Sequence, residues 1–227
     1  MNQTLLTALA LIPALVVAIV FHEVAHGWTA LMLGDPTAKE RRRLTLNPIR
    51  HVDPFGTLIL PGMLALSGLP VFGWARPVPV VKQRLRNPRF GMMAVAAAGP
   101  ATNFVLATLG AVALGLYARA LGGDAGGIAG FAGVALYSFI LINVFLALFN
   151  LLPIPPFDGS HIVEGLLPER AARAYDRLRP FGFGLMFALL LVVPMLFPSW
   201  SIVERVLLPP VAWVESQYMW LAAWIAS

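Results

Sequence analysis

Five stretches of this chain contain no charged residue: positions 1–22, 54–75, 90–118, 125–157 and 181–203. Each reaches or exceeds the roughly 20 apolar residues that cross a bilayer as a helix. The charges that remain are crowded into the short segments between them. Only 12% of the 227 residues are charged, about half the share of a soluble domain. The expected fold class is therefore an all-α membrane protein, a multi-span helical bundle forming one integral-membrane domain over residues 1–227. Disorder, a disulfide-stapled secreted scaffold and a DNA-binding domain are excluded. The formal charge of +5 comes from lysines and arginines beside the spans, where lipid phosphates and topology determinants act, and requires no nucleic acid partner. The absence of cysteine removes thiolate ligands and nucleophiles together.

The basic residues predict the topology. Lys39, Arg41, Arg42, Arg43 and Arg50 lie in one loop, Arg76, Lys82, Arg84, Arg86 and Arg89 in a second, and Arg170, Arg173, Arg177 and Arg179 in a third. Together these are fourteen of the sixteen basic residues, and the positive-inside rule places all three loops in the cytoplasm. The amino-terminal run, 5–33, is too long for a signal-peptide core and has no basic residue ahead of it, so it is expected as a mature helix entering from outside, with Pro13 a candidate kink. Residues 54–75 lie between two cytoplasmic loops. They must enter and leave on one side, and Gly56, Pro61, Gly62, Gly68, Pro70 and Gly73 punctuate them as a re-entrant or hairpin element would be punctuated. The expected full spans are 5–33, 91–117, 129–152 and 181–198. In the tail, 206–226, Trp213, Trp220 and Trp224 share one helical face, which suits an interfacial helix better than an additional membrane helix.

Inside the first apolar run stands His22-Glu23-Val24-Ala25-His26. Histidines at i and i+4 project from one helical face and can share a metal ion, while the intervening glutamate can act as general base on water. Such groups are costly in a membrane helix and usually face the bundle interior at a functional site. A metal that cleaves bonds needs a third protein ligand and an open position. Asp158, His51, His161, Asp53, Asp35, Glu164 and Glu169 are candidates. With about 1.5 Å rise per residue, His22 lies within one or two turns of the cytoplasmic boundary. Asp158 ends a charge-free run on the same side, so the two can meet at one depth. His161 and His51 are its nearest rivals.

These residues resemble the site-2 protease family of intramembrane zinc metalloproteases. Phe21 through Gly27 looks like the family's first-helix zinc motif. Asn150-Leu151-Leu152-Pro153-Ile154-Pro155-Pro156-Phe157-Asp158-Gly159 looks like its Asn-Pro-Asp-Gly motif, with Phe157 where leucine is commoner. Gly99-Pro100-Ala101-Thr102-Asn103 matches an element on the intervening helix. Leu46-Asn47-Pro48, His51-x-Asp53-Pro54-x-Gly56 and Gly73 through Val80 are similar to a compact subgroup without PDZ or CBS domains. The core of the resemblance covers 20–165.

The resemblance implies one zinc ion bound by His22, His26 and Asp158, with Glu23 as the catalytic base that activates water in the fourth position. It implies hydrolysis of peptide bonds in single-span substrate helices near the cytoplasmic boundary, as in regulated intramembrane proteolysis. Asn150 and Asn103 are the candidates for substrate-backbone or oxyanion contacts; each could instead satisfy a helix end or a backbone carbonyl. Val71–Phe72 and Val78–Val81 are β-favouring and are expected to form a membrane-surface hairpin whose edge pairs with unwound substrate. The reading from a different class is an ion-coupled transporter or channel, which would use the same His/Glu/Asp cluster as an ion path.

Overall fold

The computed structural model describes residues 3–67, 73–121, 127–197 and 201–227. Among them the helices are α1 (Gln3–Met32), α2 (Thr37–Glu40), α3 (Leu60–Leu66), α4 (Pro88–Leu121), α5 (Gly127–Asn150), α6 (Asp158–Leu166), α7 (Glu169–Asp176), α8 (Gly182–Phe187), α9 (Val193–Leu196) and α10 (Leu208–Ala226). Among the described residues four stretches are long and apolar enough to cross a membrane: Leu9–Met32, Pro88–Leu121, Gly130–Asn150 and Glu169–Leu196. The protein is a multi-pass membrane protein, as the charge-free runs require.

Local signals set the helix ends. Pro13 lies within α1 without ending it. At its far end Gly34 takes φ 106°, and the Asp35 N–H reaches back to the Ala30 carbonyl at 2.9 Å, the glycine stop that satisfies orphan carbonyls. Asn87 accepts from the Phe90 N–H ahead of α4, whose first residue is Pro88. Proline there loses nothing, because that N–H has no intrahelical partner.

Helices α1, α4 and α5 form the centre. The Ala18 carbonyl meets Asn103, and His26 meets the Val95 carbonyl, so α1 and α4 run antiparallel. Their facing sides are small: Ala14, Ala18 and Ala30 on one helix, Ala96, Gly99 and Ala107 on the other, all buried. Small residues let membrane helices approach closely, where dispersion rather than hydrophobicity supplies the attraction. Helix α5 packs Ile140 and Val144 against Ala107 and Ala111. The tail helix α10 lies lengthwise on this core: Tyr218 Oη donates to the Phe104 carbonyl at 3.1 Å, and Ala222 and Ile225 abut Gly115. Val211 and Ala222 are buried there, while Trp213, Trp220 and Trp224 face outward.

The excursion after the first loop returns to its origin. Asp53 caps the turn Pro54–Ile59 through the N–H groups of Phe55 and Gly56, and α3 follows. On the way out, Trp74 N–H donates to the Gly56 carbonyl at 3.1 Å and Arg76 N–H to the His51 carbonyl at 2.8 Å. Entry and exit therefore lie side by side, as the re-entrant reading demands. The three basic loops also gather at one end: Arg43 donates to the Arg76 carbonyl, Arg84 pairs with Glu40, Lys82 pairs with Glu164, and Arg89 donates to the Leu167 carbonyl.

The hairpin is where expectation and structure part. Val71 and Phe72 lie outside the described residues. Residues 74–81 run without regular structure, and no strand pairs with them among the described residues. The reason is a shortage of donors. Pro77 and Pro79 have no N–H, and those of Arg76, Val78 and Val81 go to His51, Glu23 and Asp35. Proline cannot donate to a ladder, so within sheets it is confined to edges, strand starts and bulges.

Candidate metal centre

His22 and His26 lie one turn apart on the buried side of α1. Asp158 is the first residue of α6, returned toward α1 by the proline-rich turn after α5. Phe157 anchors that turn by packing its ring on Phe149, with centroids 4.6 Å apart. Gly159 follows because a Cβ there would strike the Leu151 and Leu152 carbonyls at 2.2 and 2.5 Å. As a result Asp158 Oδ2 sits 3.1 Å from His22 Nε2 and 3.3 Å from His26 Nε2, and the two Nε2 atoms are 3.0 Å apart. Among the described residues these three form the one group of metal-capable side chains with ligand atoms this close.

The outer nitrogen of each histidine is fixed by a hydrogen-bond acceptor. Asn143 Nδ2 donates to the Phe139 carbonyl at 2.8 Å, so its Oδ1 is the acceptor facing Asn103. Asn103 Nδ2 donates to that Oδ1 at 2.8 Å and to the Ala18 carbonyl at 3.2 Å. Asn103 Oδ1 is thereby turned toward His22 Nδ1, at 2.6 Å. An amide oxygen can only accept, so His22 carries its proton on Nδ1. His26 Nδ1 faces the Val95 carbonyl at 2.7 Å and must be protonated likewise. With both imidazoles neutral, each Nε2 presents a lone pair toward the same buried carboxylate oxygen. Two such nitrogens and an oxygen suit zinc, whose usual ligands are these, and the bonds at Nδ1 are of the kind that orient metal-binding histidines.

Gly99 belongs to the same construction. A Cβ there would lie 2.5 Å from His26 Nε2 and 2.6 Å from His22 Cε1. The Gly-Pro-x-x-Asn element is thus one glycine that leaves room for two imidazoles and, one turn on, an asparagine that holds one of them. Both amide hydrogens of Asn103 are spent on Ala18 and Asn143, so it orients His22 and has no donor left for an oxyanion. Asn150 gives one amide hydrogen to the Leu146 carbonyl at 2.9 Å.

Glu23, the next residue on α1, accepts the Val78 N–H at 2.7 Å. Gly27 makes that approach possible, because a Cβ at 27 would meet Val78 Cγ1 at 2.8 Å. The extended segment is strapped down on either side. Arg43 binds the Arg76 carbonyl at 2.7 Å, and the buried Asp35 accepts the Val81 N–H at 2.6 Å while also holding Thr37. Burial works to raise the Asp35 carboxyl, but the donors from Thr37 and Val81 outweigh it and hold it below the usual carboxylate range.

The other candidates for third ligand are occupied elsewhere. His51 Nε2 donates to the Thr45 carbonyl at 2.8 Å. Glu164 pairs with Lys82 and Arg179, and Glu169 with Arg173. Asp53 caps its turn. His161 accepts from Arg179 at 2.8 Å, and burial together with that guanidinium pushes its pKa down to about 4. Four features escaped sequence reasoning: the donor at Val78, the strap at Asp35, the spatial role of Gly99, and Asn143. Only Asn143 left a signal, as an amide within an apolar helix.

The profile of peptidase family M50 matches residues 128–193, which include Asn150 and Asp158. The chain is 38% identical over 203 residues to "Putative zinc metalloprotease YwhC" of Bacillus subtilis, covering 86% of this chain and 87% of that one. The chain belongs to peptidase family M50, the site-2 protease family. The chain is also similar to the Rip2 proteins, which are likewise described as "Putative zinc metalloprotease". That of Mycolicibacterium smegmatis is 35% identical over 176 residues, covering 77% of this chain and 63% of its own length. That of Mycobacterium tuberculosis is 32% identical over 185 residues, covering 81% and 66%. No solved structure matches. As an M50 protein the chain is a membrane metalloprotease with zinc as its cofactor. The transporter reading gives way, since membership supplies an enzyme class for the cluster that suggested an ion path.

Proposed function

We propose that this enzyme hydrolyses peptide bonds of single-span substrate helices at a centre formed by His22, His26, Asp158 and Glu23, near the cytoplasmic boundary of the membrane. The observation that carries the reading is the convergence of two imidazole nitrogens and one carboxylate oxygen beside a held glutamate. Zinc bound by those three side chains supplies Lewis acidity, polarising a peptide carbonyl and acidifying water. Glu23 takes the proton of the attacking water and passes it to the leaving amine. Val78 N–H keeps the Glu23 carboxylate aimed. Asn150, one turn from Leu146 and with a second amide hydrogen to give, binds the substrate backbone or the developing oxyanion.

The gathered basic loops support a cytoplasmic position for this end of the bundle and an external amino terminus. Strand addition along Val78–Val81 gives way to a narrower role, in which backbone carbonyls of that segment receive substrate N–H donors.

The test is cleavage in reconstituted vesicles of a single-span substrate, with cut sites read by mass spectrometry. The wild type cuts within the substrate's apolar segment toward its cytoplasmic end. Glu23→Gln loses roughly 10²–10⁴-fold in rate, the usual contribution of a general base. Full activity in Glu23→Gln, or cuts confined to soluble tails, would contradict the proposal.

A further inference from the structure

Asn143 stands in the middle of α5, fully buried, in a helix with no charged residue. A buried amide in a membrane helix is costly unless its groups are matched, and here each is. Its Nδ2 donates to the Phe139 carbonyl of the preceding turn and its Oδ1 accepts from Asn103. That second bond is the shorter of the two that fix the Asn103 amide, at 2.8 Å against 3.2 Å to the Ala18 carbonyl. The Ala18 carbonyl is also four residues before His22 in α1, where it already accepts the helical N–H. Asn143 is thus the acceptor dedicated to Asn103.

The consequence runs to the metal. An asparagine amide turned through 180° exchanges oxygen and nitrogen. If Asn103 turned, it would present N–H groups to His22 Nδ1. Nδ1 would then have to accept, the proton would move to Nε2, and the nitrogen facing Asp158 would no longer offer a lone pair.

We propose that Asn143 is a positioning residue for the metal centre: through Asn103 it holds the His22 proton on Nδ1 and keeps Nε2 free to bind zinc. This rests on His22 and Asp158 being zinc ligands. His26 lies outside the relay, because its Nδ1 is fixed by the Val95 backbone carbonyl. It serves as an internal control.

The experiment uses the full-length protein in detergent, loaded with zinc and labelled with ¹⁵N-histidine; four histidines give a spectrum simple enough to assign. In the wild type, His22 shows a slowly exchanging proton on Nδ1. In Asn143→Leu that proton shifts and exchanges faster, the His26 signal is unmoved, and zinc affinity measured by chelator competition falls about tenfold, the lower end of the range for outer-shell contacts. Asn143→Asp restores both, since a buried neutral carboxyl can donate to Phe139 and accept from Asn103 as the amide does. A wild-type spectrum lacking the Nδ1 proton on His22 overturns the proposal even if the leucine variant fails to fold. An unchanged proton and unchanged affinity in folded Asn143→Leu also overturn it. Asp158→Ala separates the two readings: if it binds zinc as tightly as the wild type, the ligand assignment fails, whereas zinc lost there but kept in Asn143→Leu means only the relay fails.

Discussion

Glu23 and Val78 are joined by a hydrogen bond from backbone to carboxylate, 2.7 Å long, across 55 positions of sequence. Val78 stands between two prolines, so in the tripeptide Pro77-Val78-Pro79 one N–H exists and Glu23 receives it. The rest of the segment is tied to Arg43, His51 and Asp35. A loop that carries no side chain of the candidate metal centre therefore holds the Glu23 carboxylate in place.

Removing this donor separates binding from catalysis. Val78→Pro, with Val78→Ala as control, deletes the N–H while leaving the zinc ligands in place. A hydrogen bond to a charged group is worth roughly 1.5–3 kcal/mol, so kcat is expected to fall on the order of ten- to hundredfold. Zinc content and KM should hold. Zinc loss in Val78→Pro, or full activity, would show that the contact does not position the base.

Gly99→Ala tests the space beside the imidazoles. The added methyl would lie 2.5 Å from His26 Nε2, well inside contact distance, and both neighbouring elements are helices with small buried faces that cannot retreat without losing packing. Zinc affinity is expected to fall at least tenfold, with helix content by circular dichroism unchanged. Wild-type affinity would mean that the histidines are not confined by α4.

The paired histidines and the membrane class were legible in the sequence because both are written locally. His22 and His26 are one turn apart on one helix, and the charge-free runs are contiguous. Asp158 became legible through charge, since the basic loops set the depth at which it could meet His22. The Asn103–Asn143 and Glu23–Val78 bonds join residues 40 and 55 positions apart, and no local periodicity encodes such partners. The hairpin misled because valine favours strands, while the prolines between the valines removed the donors a ladder requires. In the tail the exposed tryptophan face was legible, whereas the packing of Val211, Tyr218 and Ala222 on the other faces was not.

Stability should depend on pH through His161. Its surroundings are Arg179, Glu164, Asp158 and Lys82, and burial with Arg179 brings its pKa from 6.5 to about 4. Between those values the unfolded chain takes up a proton that the folded protein refuses. The stabilising contribution is complete above pH 6.5 and is lost as pH falls toward 4. After discounting for partial solvent access, the unfolding midpoint between pH 7.5 and 5 should fall roughly 2–6 °C further in the wild type than in His161→Gln. Equal falls would place the His161 pKa near its ordinary value.

The most direct test of the central claim is the zinc content of the purified protein and its variants. Wild type and Glu23→Gln should each hold close to one zinc per chain, His51→Ala and His161→Ala should match them, and Asp158→Ala should lose most of its metal on dialysis against a weak chelator. Undiminished zinc in Asp158→Ala, or loss in either distant histidine variant with Asp158 intact, would contradict a centre built from His22, His26 and Asp158.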